Sequence, residues 1–159
     1  MRDDIKTLRH AIMVLGMCQL KRWVQLPLFS SGSKGAGTPL LETAAVCGRL
    51  MELLVQKLPM YDSDIDFHDR AFITGVLSLI DVLFESPMEE LVKQLSLAED
   101  VRRALVSREG ALGNQLTLIE NLEKMDFAGV SRLLTESHCG MDALLESQPD
   151  AINWTNNLN

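Results

Sequence analysis

Aromatic residues are scarce in this chain, at 5% of 159 positions, with one Tyr and two Trp. Strands draw heavily on aromatic and β-branched side chains, so a sheet-built core is disfavoured. Cysteine is scarce too: Cys18, Cys47 and Cys139 stand far apart, are odd in number and form no CxxC pair. That excludes a disulfide framework and fits a reduced, cytoplasmic chain with small buried thiols. His10, His68 and His138 are the only histidines, and no HxxxH or HExxH occurs. No window offers eighteen uninterrupted apolar residues, so no membrane insertion is expected. The start, Met1-Arg2-Asp3-Asp4, is charged and precedes no apolar signal-peptide core.

What the chain does have is Leu, Val, Ile, Ala and Met, within a 47% hydrophobic and 23% charged composition. This is ordinary globular composition, and it favours helices. The net charge of −7 is unevenly spread. Residues 1–59 hold eight Lys/Arg against four Asp/Glu, and residues 60–159 seven against eighteen. An acidic body is a poor match for a phosphate backbone, and the basic third lacks a dense Lys/Arg stripe. No nucleic-acid partner is therefore expected.

Helical spacing recurs along the chain. Ile5, Leu8, Ile12 and Leu15 open it, with Asp3 and Asp4 where a helix dipole favours acids. A second helix follows Gly16, and Pro27 kinks or ends it. "SSGSKGAGTP", residues 30–39, reads as a flexible loop inside one domain. Leu40–Leu58 is a strong helix, and "MYDSDIDFHD" an acidic loop whose Asp residues cap the next one. "RAFITGVLSLIDVLFE" is apolar nearly all round and reads as the central buried helix. Ser86 and Pro87 signal a further start, and Ser96 with Glu99 a capping box. "GALGNQLTLIENLEKMD" and "FAGVSRLL" continue the pattern. Residues 135–159 read as a C-terminal appendage of one or two short helices. The expectation is an all-α multi-helix bundle without a β-sheet, about eight to ten helices in a single domain, 1–159.

Chemical motifs are few. "DSDIDFHD" begins like a calcium loop, but Phe67 takes the Gly position and Ile73 the closing Glu. "GSKGAG" follows no strand, so it is no phosphate loop. Ser78 lies among Leu and Ile residues, where its hydroxyl bonds back to a backbone carbonyl. "HAIMVLGMCQLKRW" has a helix–Gly–helix form, yet outside Lys21 and Arg22 its apolar repeat suits a buried hairpin better than a recognition helix. Arg22, Trp23 and Arg49 are available for a surface site, but nothing fixes one. No catalytic, cofactor-binding or metal residue is assigned.

Several segments together resemble a known family. "LRHAIMVLGMCQLKRWVQL" is similar to the "sIrqAi.lLG...LrrW..L" segment of HDOD domains, and "ETAAVCGRLMELL" to their next helix. Ala71–Leu116 resembles the "GLLSLLDALL", "PMEELL..LPL...V..AL" and "REG.LG..L" pattern of HDOD domains at the C-terminus of EAL–HDOD signalling proteins. The resemblance covers most of residues 7–134. It implies an all-α bundle of the HD-domain, phosphodiesterase-like type, N-terminally truncated relative to the family and lacking an EAL domain. In HD enzymes a "GLLHDIG"-like run supplies a metal-binding His-Asp doublet. Aligned on Gly75, Ser78 takes the His position, Leu79 the Asp position, and Asp81 the final Gly. The resemblance thus implies a non-enzymatic signalling module. It would act through a protein partner or attached signalling domain, or as a homodimer, in cyclic di-GMP signalling and without a cofactor. The alternative is a divergent HD-type phosphohydrolase with displaced ligands, for which His68, Asp69 and Asp81 are the candidates. In the non-enzymatic reading Asp81 is a structural acid, held by a backbone amide or an Arg, or placed at the helix surface.

The charge distribution yields a first prediction. Titration with single- or double-stranded nucleic acid at low salt, where phosphate contacts are strongest, should show no binding. Saturable binding there would restore the nucleic-acid reading.

Overall fold

The computed structural model describes residues 37–157 apart from Gln94 and Ser96, and not the side chains of residues 37–41 or Leu83. The chain divides into two units, Met1–Pro39 and Leu40–Asn159. The two expected N-terminal helices, most of the 30–39 loop, Cys18, His10, Arg22, Trp23 and Ser96 lie outside the described residues.

Eight helices occur among the described residues, and no strand. They are α1 Gly37–Gln56, α2 Ile65–Leu77, α3 Ile80–Phe84, α4 Met88–Lys93, α5 Glu99–Ser107, α6 Gly110–Glu123, α7 Phe127–Glu136 and α8 Met141–Asn156. The all-α expectation holds for this part of the chain. No helix among the described residues is long and apolar enough to cross a membrane.

Helix α1 starts before the expected Leu40 because Pro39 falls in its first turn, where a missing N–H costs nothing. It buries Ala44, Cys47, Met51, Leu54 and Val55, the stripe its helical spacing dictates. Helix α2 starts earlier than expected as well, within the acidic loop. Asp64 is its N-cap, and the Phe67 amide donates to Asp64 Oδ1 at 3.0 Å.

Helices α1 and α2 meet at a pair of glycines. A Cβ on Gly75 would stand 2.5 Å from Gly48 Cα and 2.6 Å from the Cys47 carbonyl oxygen. A Cβ on Gly48 would stand 2.5 Å from Val76 Cγ2 and 2.8 Å from the Phe72 carbonyl oxygen. Two backbones this close leave no space for a side chain, and backbone cannot yield as a flexible side chain would.

The expected single helix over 70–85 is in fact two. Ser78 Oγ donates to the Gly75 carbonyl at 2.7 Å, and the Ser78 amide donates to the same oxygen at 3.3 Å. A hydroxyl competing for a helix carbonyl interrupts the helix there, and α3 starts after Leu79, whose backbone is non-helical at φ −107°, ψ 7°. The central burial therefore stops at Ile80: Val82 is 59% exposed.

The start signal at Ser86 and Pro87 works otherwise than its sequence suggests. Ser86 Oγ donates back to the Phe84 carbonyl at 3.2 Å, and the Pro87 carbonyl accepts the Glu90 and Leu91 amides of α4. Helix α5 has Ala98 at its N-cap with no side-chain cap, and Glu99 pairs with Arg102; Ser96, the other half of the expected capping box, lies outside the described residues.

The α5–α6 joint is built from "REGALG". Arg108 lies in the left-handed region at φ 57° and ends α5, and Gly110 turns the chain at φ 76°. The Arg108 guanidinium donates to the Ala104 and Leu105 carbonyls and pairs with Glu120 at 2.6 Å. One side chain thus caps α5 and ties it to α6.

Within 135–159, residues 135–136 end α7 and a single helix follows, the sixteen-residue α8, longer than the one or two short helices expected. Leu144, Ser147, Ala151 and Thr155 form its buried face. Pro149 is exposed, so the hydrogen bond it removes falls on the solvent side and the helix runs through. Leu144 and Ala151 belong to the same core cluster as Leu54, Leu105, Leu116 and Val130.

Gly75→Ala should lower stability by about 2 kcal/mol or more, the usual cost of forcing a methylene into a filled space. Urea unfolding followed by circular dichroism checks this, and an unchanged midpoint would contradict the crossing geometry.

Candidate functional site

The position implied by the HD resemblance lies at the end of α2. Ser78 is buried there, and its hydroxyl is committed to the Gly75 carbonyl. Leu79 offers only an alkyl group. Asp81 sits in the first turn of α3, half-buried, and its Oδ1 accepts the Val82 amide at 2.9 Å. The carboxylate thereby satisfies one of the amides that a short helix leaves unpaired.

His68 and Asp69 lie near the other end of α2. His68 is buried, and its Nε2 is 2.6 Å from the Tyr61 carbonyl, so that nitrogen carries the proton and donates. His68 precedes Ser78 by about 15 Å of helix at the usual rise. The structure therefore does not bring His68 and Asp81 to one place. No group of three His, Cys, Asp or Glu side chains among the described residues is arranged to hold a metal ion. In the loop before α2, Asp62 accepts from Ser63 and Asp64 serves as the cap, so each has a local structural part.

Near His68, a groove of about 190 Å³ lies over Phe67, lined by Asp100, Arg103, Glu109 and the first turn of α6. Tyr61 stacks on Phe67 with ring centroids 4.0 Å apart, and Arg70 lies 5.6 Å above the same ring. The charges at the rim pair among themselves: Arg103 with Glu109 at 3.2 Å, and Arg70 with Asp100 at 3.3 Å. Among the described residues, neither a nucleophile–base pair nor an unpaired cation lines the groove.

Two buried polar contacts went unnoticed in the sequence. Glu52 is 1% exposed and pairs with Arg49 at 2.6 Å. Arg49 also lies 5.5 Å over the Trp154 ring, and Trp154 meets Phe72 edge-on at 5.8 Å. Arg49, offered by the sequence for a surface site, is thus engaged in packing α8 against α1. The signal for Glu52 was present: it shares a helical face with Gly48 and Ala45, four and seven residues back. The second contact joins Cys47 to Glu123, with Sγ 3.7 Å from Oε1. It spans 76 residues and had no local signal. Burial, reinforced by the Glu123 charge, pushes the Cys47 thiol up to about 12, which makes it an inert core group.

Two predictions follow from these environments. Asp81→Asn should lower stability by less than about 1 kcal/mol, since a side-chain oxygen remains to accept the amide. Thermal unfolding checks this, and loss of a measured hydrolysis with folding intact would make Asp81 a catalytic acid. For Cys47, the unfolded thiol ionises near 9 and the folded one near 12, so above pH 9 only the unfolded state sheds the proton. Stability should fall as pH rises from 9 to 12, by up to about 1.4 kcal/mol per pH unit. Cys47→Ala should flatten that part of the denaturation profile, and an unaltered slope would contradict the burial.

No family model matches the chain, and no solved structure matches it. Curated relatives do. The chain is 30% identical over 156 residues to cyclic di-GMP phosphodiesterase CdgJ of Vibrio cholerae serotype O1, covering 98% of this chain and 35% of that protein. It is 28% identical over 159 residues to uncharacterized protein YuxH of Bacillus subtilis strain 168, covering 98% and 37%. The chain thus spans about a third of the length of the curated relatives it matches.

Proposed function

We propose that the chain is a non-catalytic regulatory module of the HDOD type in cyclic di-GMP signalling, acting through a protein partner or an attached signalling domain. The observation that carries this reading is the end of α2. At the place where an HD hydrolase keeps its metal-binding doublet, this chain has a hydroxyl tied to a helix carbonyl, and a leucine. A di-metal hydrolase needs several convergent ligands, and Ser78 and Leu79 supply none with the chemistry of a carboxylate or imidazole. The link to cyclic di-GMP rests on the relative whose name carries that activity. Because this chain matches only about a third of that protein, the phosphodiesterase activity need not reside in the matched part.

The test has two arms. Purified chain incubated with cyclic di-GMP and Mg²⁺ or Mn²⁺ should release no linear dinucleotide above a protein-free blank. Turnover there would overturn the non-catalytic reading and favour displaced ligands. In the source cell, tagged chain should co-purify with a specific protein of cyclic dinucleotide metabolism. Recovery of no specific partner would overturn the regulatory reading.

A further inference from the structure

We draw no further inference here: the strongest candidate, the exposed apolar stripe of Met141, Leu145 and Ile152 along the outer face of α8, carries nothing because no feature of the structure shows what covers it.

Discussion

The contact of Gly48 with Gly75 sets the distance between α1 and α2, and much else is arranged around it. Close approach there brings the Cys47 carbonyl and the Phe72 carbonyl against the opposing glycines, so each helix packs on backbone. Long side chains on either side then meet at fixed depth. Met51 and Leu54 enter the core from α1, and Phe67 and Ala71 enter it from α2. Arg49, one residue past Gly48, is held where it can pair with Glu52 and lie over Trp154. That arrangement explains how a charged side chain comes to pack beside the core: its charge is compensated and its stem covers apolar surface.

The same crossing lies beside the end of α2. Gly75 is the residue on which the resemblance to HD enzymes aligns, and its carbonyl is the one that Ser78 takes. In an enzyme that turn of helix would present ligands. Here it ends the helix, and Asp81 serves the start of α3. The residues nearest to a displaced ligand set have local structural tasks: His68 binds the Tyr61 carbonyl and Asp64 caps α2. A hydrogen-bonding side chain committed to its own backbone is a poor candidate for binding a substrate, since it would first have to give up that bond.

Legibility varied with the range of the interaction. The Asp64 cap, the Ser78 back-bond and the amphipathic stripes of α1, α5 and α7 depend on neighbours within one or two turns, and the sequence showed them. The helix break after Leu77 was harder to read, because "TGVLSLIDVLF" has no Pro and its apolar character is continuous. The α4 start was misread because Ser86 had a second acceptor within reach, the Phe84 carbonyl. Helix α8 runs through Pro149, whose position is exposed while the buried face continues beneath it.

The sequence by itself determined that the core is helical and which faces of each helix are apolar. It also placed Ser and Leu where a resembling enzyme would need His and Asp. Those are properties of periodicity and side-chain identity, and they do not depend on what lies opposite. Only the tertiary structure decided that Gly48 faces Gly75, that Cys47 meets Glu123, and that Arg49 reaches Trp154. Each of these pairs joins residues far apart in the chain. Their meeting depends on how helices cross, which is fixed by packing and backbone approach, not by local preference.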